Sequence, residues 1–175
     1  MISQCKRVGV ALALTLATLS VQAGVTIQNW TTAQGSRVYF VESRSLPIVD
    51  VQVDFRAGGA EVPAGKAGLA GLARGLLDAG AGNLDEDAIA NRVADLGAQI
   101  GGGVDMDRAS VSLRTLSSPA ERDGAVDLLA TLIQQPTFPA AAVEREKSRS
   151  IAGLKESDTQ PDAILSRRFA AAVFP

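Results

Sequence analysis

The sequence predicts an α+β domain in which helices pack on one face of a mostly antiparallel sheet. Three observations support this class. Two segments alternate apolar and polar residues as strands do, the predicted strands are grouped with strands and the helices with helices, and 46% of the 175 residues are hydrophobic. A chain of this length can bury one sizeable core. Because aromatic residues make up only 4% of it, we expect that core to be mainly aliphatic.

The first 23 residues have the pattern of a secretory signal peptide. Lys6 and Arg7 precede an apolar run over 8–19 that is too short for a comfortable membrane span. Small residues at Val21-Gln22-Ala23 then suit cleavage. We therefore expect residues 1–23 to be removed on export, and a periplasmic or secreted protein without a membrane partner. The alternative is an uncleaved anchor.

The remaining residues, 24–175, are predicted to form the domain, beginning with a hairpin. Its strands cover 25–33 and 36–44 around Gly35. In residues 49–55 the odd positions are Val, Val, Val and Phe, whereas the even positions are polar. This period of two is typical of a strand with one buried face.

Two helices are predicted next. Residues 67–78 are rich in Leu and Ala and indicate a buried helix despite three internal glycines, closed by Gly80-Ala81-Gly82. Asp85 can cap a second helix, whose apolar stripe is Ile89, Val93 and Leu96.

Two more strands, 99–107 and 108–116, follow before the last three helices. Ser118-Pro119-Ala120-Glu121 predicts a helix start with a capping box. The inner stripe of that helix is predicted to be Val126, Leu129 and Ile133. A charged helix over about 140–156 and a helix from Pro161 complete the prediction.

The residue types exclude several kinds of chemistry. Cleavage after residue 23 removes Cys5, the one cysteine, and the sequence contains no His. The mature chain therefore cannot build Ser-His-Asp, Cys-His or His-based zinc sites. The full sequence has a net charge of −2 and no basic stripe, so nucleic acid is not an expected partner.

Acidic clusters have plainer interpretations than catalysis. Asp85-Glu86-Asp87 suits a helix N-terminus, where carboxylates complement the helix dipole. Asp105 and Asp107 lie at a predicted strand–strand turn, which is either a solvated turn or a weak cation site. Mixed charges over 144–149 indicate a solvated helix face with i, i+4 pairs.

Several segments, taken in order, resemble the N-terminal domain of the pitrilysin/insulinase family, the inverted-motif zinc peptidases. This resemblance implies a metallopeptidase-like fold of the LuxS/MPP type. The segments that carry it are Val51–Gly58 with Gly59-Ala60-Glu61, Gly68-Leu69-Ala70, Ile89–Ala98, Leu113–Leu116, Pro136-Thr137-Phe138, Val143–Lys147 and Asp158–Pro161.

The zinc motif of that family is degenerate here. In the family, H-x-x-E-H places two zinc-binding His on one helix turn, and its Glu activates water. Gly71, Arg74 and Gly75 occupy the matching positions, and Ala152, or Gly153 one residue on, matches the third ligand. The resemblance thus implies no zinc in this chain and zinc only in an active partner. The alternative is that 68–77 is simply a close-packed core helix.

The resemblance also implies a role for an inactive chain. Some members pair an active with an inactive subunit and bind an extended peptide at a sheet edge. The matching edge is Ile100–Val104, where Gly101, Gly102 and Gly103 leave the backbone accessible or merely form a bulge.

We therefore expect a catalytically inactive homologue that partners an active zinc peptidase and helps bind extended peptides. The alternative is a stand-alone periplasmic binding or scaffold module. A self-sufficient hydrolase would need chemistry beyond Pro175. Because the sequence stops in an apolar stretch, we expect the domain to be incomplete at its C-terminal end.

Overall fold

The structure is a computed structural model that describes residues 25–174. The predicted signal peptide lies outside these residues. Internal contacts divide the chain into two units, with the boundary between Leu46 and Pro47. No helix within residues 25–174 is both long and apolar enough to cross a membrane.

The described part of the first unit is an antiparallel hairpin. Strand β1 (Ile27–Thr31) pairs with β2 (Arg37–Val41). Gly35 turns the chain with a φ of +88°, a conformation that glycine adopts without steric cost. The hairpin prediction is confirmed.

The second unit alternates short strands and helices in an α+β arrangement, which confirms the predicted fold class. After β3 (Ile48–Phe55), a single 3₁₀ turn spans Gly59–Glu61. The remaining elements are α1 (Leu69–Gly75), β4 (Gly80–Ala81), β5 (Leu84–Asp85), α2 (Glu86–Asp95), β6 (Gln99–Val104), β7 (Ala109–Leu116), α3 (Pro119–Gln134), α4 (Ala140–Ser157) and α5 (Pro161–Val173).

A three-stranded antiparallel sheet organises this unit. Its order is β3-β7-β6, so β7 is central and β6 is an outer strand in the part of the chain that the structure describes. Val111 and Leu113 of β7 are buried against Ala125 and Leu129 of α3. The neighbouring Arg114 points its exposed side chain away from this core.

Helix α2 packs with α3 in a second apolar cluster. Ile89 is buried beside Leu128 and Leu132, and Val93 and Leu96 pack against them, as the predicted stripe requires. The predicted stripe of α3 is wrong in part, because Val126 is 40% exposed. The helix buries its Ala125 side instead, since a small residue allows close approach and three leucines follow on that face.

Helix α1 is shorter and more exposed than predicted. The helix proper contains no buried residue, and burial begins only at Leu76 and Ala79, which pack against Ala142 of α4. Glycine has no side chain to bury and weakens a helix interior. Gly71 and Gly75 therefore leave one face of the helix bare, and the prediction of a close-packed core helix is wrong.

Two predicted helix starts differ in outcome. Asp85 caps α2, because its Oδ1 accepts the Ala88 N–H at 2.9 Å. Pro119 takes the first position of α3 as predicted, but Ser118 makes no side-chain cap. Its hydroxyl donates to the Glu121 carboxylate instead, so the predicted capping box does not form.

Thr115 is a polar residue in the core. It is 1% exposed, and its hydroxyl has no hydrogen-bond partner among residues 25–174. An unpaired buried hydroxyl costs free energy, whereas a methyl of similar size does not. We expect Thr115→Val to raise the free energy of unfolding by about 1 kcal/mol in urea titrations. Thr131→Val is the control, because its hydroxyl already donates to Asp127 O and should gain nothing; a destabilised Thr115→Val would contradict the account.

A cross-strand ion pair gives the sheet a pH dependence. Arg114 donates through Nε to Asp50 Oδ1 at 2.6 Å and through Nη2 to Asp50 Oδ2 at 3.0 Å. These hydrogen bonds lower the pKa of Asp50 below 3.8. Because the folded-state pKa is depressed, the stabilisation is present above pH 3.8 and is lost as the pH falls through the folded-state value.

We therefore expect acidification to destabilise the wild type more than Asp50→Asn. Urea unfolding midpoints at about pH 6 and about pH 2.5 measure the difference. Equal losses in the two proteins would show that the pair carries no pH-dependent stability.

Candidate functional site

The two residues of α1 predicted to replace the zinc-binding His are glycines and carry no side chain. Gly71 and Gly75 lie one turn apart on the same helix face, and both are exposed. A Cβ built on either glycine meets no atom within 4 Å. Ala152 and Gly153 are exposed on α4 and contribute nothing to the buried clusters. Within residues 25–174 no group of three or more His, Cys, Asp or Glu could hold a metal ion.

Arg74, which the resemblance predicts to replace the family's catalytic Glu, links the helix to the sheet. Its side chain is partly buried, and its Nε donates to the backbone oxygen of Ser110 at 2.9 Å. This bond joins α1 to the central strand β7. A guanidinium remains protonated in proteins and cannot accept a proton from water. The residue therefore acts as a structural contact and offers no general base.

Gly102 of β6 completes this contact. Its φ is +132°, and a Cβ built there would lie 2.1 Å from Ser110 O and 2.9 Å from Arg74 Nε. No larger residue fits that position without moving the strand or the arginine. The structure thus brings Gly102, Ser110 and Arg74 together, although they are distant in sequence. Backbone geometry alone accounts for a glycine at this position.

The two neighbouring glycines of β6 differ from Gly102. A Cβ on Gly101 would lie 3.1 Å from the Ser112 hydroxyl, whereas one on Gly103 meets nothing within 4 Å. The Gly103 N–H donates to Ser110 Oγ at 3.1 Å, so a side chain joins the two strands there. Of these three glycines of β6, Gly103 is the one for which local packing gives no reason.

An open apolar cleft of about 200 Å³ lies beside Arg74. It is formed by residues of α1, the sheet, α3 and the loop before α4. Its lining residues are Phe55, Ala57, Ala70, Ala73, Arg74, Leu77, Ala109, Val111, Ile133 and Phe138. Phe138 has a φ of +45°, the only positive φ of a non-glycine residue in the described chain. Arg74 is the one charged residue of the lining.

The acidic turn between β6 and β7 binds its own backbone. Asp105 Oδ1 accepts the N–H groups of Asp107 and Arg108, both at 2.8 Å. These backbone donors, chiefly that of Arg108, lower the pKa of the Asp105 carboxyl. The carboxylate is thus engaged in holding the turn, which favours the solvated-turn interpretation over a cation site.

The charged face of α4 is paired, but not at the predicted spacing. Lys147 contacts Glu144 at 3.5 Å and Arg149 contacts Glu146 at 3.1 Å, both three residues apart. Arg145 reaches instead to Glu86 of α2 at 2.7 Å. Such exposed pairs contribute little stability each, so this face has the character of a solvated surface.

Open space at Gly71 and Gly75 allows a direct test of the motif register. Two His four residues apart on a helix can chelate zinc, because both rings project from one face. We expect the double variant Gly71→His, Gly75→His to bind zinc at least roughly tenfold more tightly than Gly71→His alone, measured by competition with a chromogenic chelator. Equal affinities would mean that these residues do not share a face.

Sequence reasoning did not single out Ser110, Phe55 or Phe138 as site residues. Ser110 occurs in an alternating strand and carries no separate signal. Phe138 stands between Pro136 and Pro139, which marks a turn but not a positive φ or a cleft.

The chain resembles solved peptidase structures. It has 36% identity and a TM-score of 0.79 to a peptidase M16 inactive domain from Pseudomonas fluorescens, covering 83% of this chain and 35% of that one. The periplasmic protease PqqL from Escherichia coli gives 16% identity and a TM-score of 0.73, covering 87% of this chain and 18% of that one. A protease from Helicobacter pylori has 18% identity and a TM-score of 0.70, covering 81% of this chain and 34% of that one.

The two more distant structures share the fold, and the chain spans about a third or less of the length of all three. Comparison with curated protein sequences yields no significant match. The family model described as insulinase (peptidase family M16) matches residues 37–175, which is most of the sequence. These findings show that the chain belongs to the insulinase (M16) peptidase family, and its sequence contains no His and therefore no H-x-x-E-H motif.

Proposed function

We propose that this chain is a catalytically inactive member of the M16 family that partners an active zinc peptidase subunit and helps to hold extended peptides. The observation that carries the proposal is the lack of any His in a sequence that has the fold of the M16 family. Helix α1, strand β6 and their mutual packing persist, while Gly71, Arg74 and Gly75 supply neither ligand nor base.

Of these three residues, Arg74 makes the helix–sheet contact. The Arg74 Nε donates to Ser110 O at 2.9 Å, so the residue predicted to replace the general base fixes α1 to β7 instead. A rigid contact between α1 and β7 suits a chain that forms part of a binding surface and does no chemistry itself. Zinc is expected only in the active partner, because this chain has no His and one Cys, which precedes the domain.

Peptide binding is assigned to the outer strand β6. An extended peptide can add to an exposed strand edge through main-chain hydrogen bonds. Gly103 supports this assignment, since a Cβ there would meet no atom and packing does not require a glycine. Gly101 and Gly102 belong to the same strand, but a Cβ on either would lie close to Ser112 or Ser110 of β7, so packing already accounts for them.

We place the protein in the periplasm or outside the cell. Support comes from the basic, apolar and small-residue order of residues 1–23. One structural relative is described as a periplasmic protease, which agrees with this location for a protein of the same fold.

Affinity purification of the full-length protein from its own host tests the partnership. We expect an M16 peptidase with an intact H-x-x-E-H motif to co-purify, and its peptide cleavage rate to rise when the two chains are recombined. A purified protein that associates with no such peptidase, and leaves peptidase activity unchanged, would favour the stand-alone binding or scaffold role.

A further inference from the structure

We propose that the cleft beside Arg74 binds the apolar C-terminal residue of a peptide, with the side chain in the cleft and the terminal carboxylate on the Arg74 guanidinium. This inference rests on the proposed peptide binding and specifies which end of the peptide is held. It concerns a cleft between α1, β7 and α3 and does not depend on strand addition at β6.

The lining of the cleft selects an apolar group. Nine of its ten residues are apolar, and the aromatic ones, Phe55 and Phe138, are each 38% exposed and so reachable from solvent. The volume of about 200 Å³ is smaller than that of sites for drug-sized ligands, which run to roughly 300–1,000 Å³. One large aliphatic or aromatic side chain therefore matches the space better than an extended small molecule.

The charge of the cleft selects a carboxylate. Arg74 is the only charged lining residue, and no carboxylate pairs with it within residues 25–174. Its one hydrogen bond in that range uses Nε, which leaves the two terminal nitrogens available. A guanidinium presents paired donors that match a carboxylate, and the match strengthens beside apolar surface.

The arginine is also held in place for this role. The bond to Ser110 O fixes the guanidinium against the sheet, and Gly102 lies directly beside Nε. Binding then requires little further ordering of the longest side chain in the cleft. An internal peptide segment has no carboxylate at this point and would leave the guanidinium unpaired.

Fluorescence anisotropy with labelled hexapeptides tests the proposal on the full mature protein. The probes are a peptide ending in Leu as the free acid, the same peptide as the C-terminal amide, and a free acid ending in Ser. We expect the Leu acid to bind at least roughly tenfold more tightly than either other peptide.

Two variants locate the site. Arg74→Gln should lower the affinity for the Leu acid to that for the amide, while Arg92→Gln, an exposed arginine of α2, should leave it unchanged. Ala73→Leu should fill the cleft and weaken binding with the charge retained, and Ala90→Leu on exposed α2 surface is its control. Thermal unfolding checks that each variant is folded, and the amide probe tests the charge requirement without any mutation.

The outcomes separate this inference from the proposed function. Equal binding of acid and amide, or full binding by folded Arg74→Gln, overturns the inference and leaves peptide holding intact. Arg74-dependent binding without stimulation of an active peptidase supports the inference and contradicts the partnership. If none of the peptides binds, both the cleft assignment and the proposed peptide binding are wrong.

Discussion

Gly102→Ala is expected to lower the free energy of unfolding by about 3–4 kcal/mol. The new Cβ would lie 2.1 Å from Ser110 O, which belongs to the central strand, and 2.9 Å from Arg74 Nε. In addition, the φ of +132° is strained for any residue with a side chain. Both effects act at the joint between α1 and the sheet, so urea unfolding should report the loss as a lower midpoint.

Gly103→Ala is the matched control for this prediction. It lies one residue further along the same strand, and its Cβ would meet nothing within 4 Å. We expect a change of less than about 0.5 kcal/mol, or slight stabilisation, because alanine loses less backbone entropy than glycine on folding. Similar losses in both variants would mean that the position of Gly102 beside Arg74 is not a packing constraint.

Gly58→Ala is expected to cost about 3 kcal/mol for a purely steric reason. Gly58 is buried after β3, and its φ of −76° is ordinary. A Cβ there would lie 2.4 Å from both Arg108 N and Met106 O, which are backbone atoms of the turn between β6 and β7. Backbone atoms held in a turn cannot move aside as a flexible side chain does.

Gly59→Ala is the control for this steric effect, because it changes the neighbouring glycine without a backbone clash. Its Cβ would approach the Met106 side-chain sulfur at 3.4 Å, a contact that a flexible side chain can relieve. We expect a loss below about 1 kcal/mol in the same unfolding measurement. If Gly59→Ala lost as much unfolding free energy as Gly58→Ala, the cause would be the turn conformation of this segment and not a clash at Gly58.

The sequence predicts strands and strongly capped helices well because each carries a local signal. The alternation over 49–55 predicts β3, and the side chain of Asp85 starts α2 as expected. The short β4–β5 pair has no such signal. Gly80 and Ala81 are held by pairing with Asp85 and Leu84 and by the nearby Pro136, contacts that depend on the folded chain.

The sequence predicts which zinc-site residues the candidate site lacks, but it does not predict the contacts that the site makes. The absence of His and the glycines at 71 and 75 follow directly from reading the motif against the sequence. The bond from Arg74 to Ser110 crosses 36 residues, and nothing in either neighbourhood indicates it. The cleft has the same origin, because small residues such as Ala70 and Ala73 leave space only once α1 lies over the sheet.

Arg74 therefore accounts for two properties of this chain at once. Its charge is incompatible with activation of a zinc-bound water, and its hydrogen bond to Ser110 O links α1 to the sheet.

The most direct test of the central claim is a single assay of the purified mature protein for bound zinc and for chelator-sensitive peptide cleavage. Plasma mass spectrometry of the dialysed protein gives the zinc content, and a mixture of quenched fluorescent peptides gives the activity. An inactive M16 member should carry far less than one zinc per chain and cleave none of the peptides. Stoichiometric zinc together with cleavage that a chelator abolishes would contradict the account, and would place a working metal site in this protein.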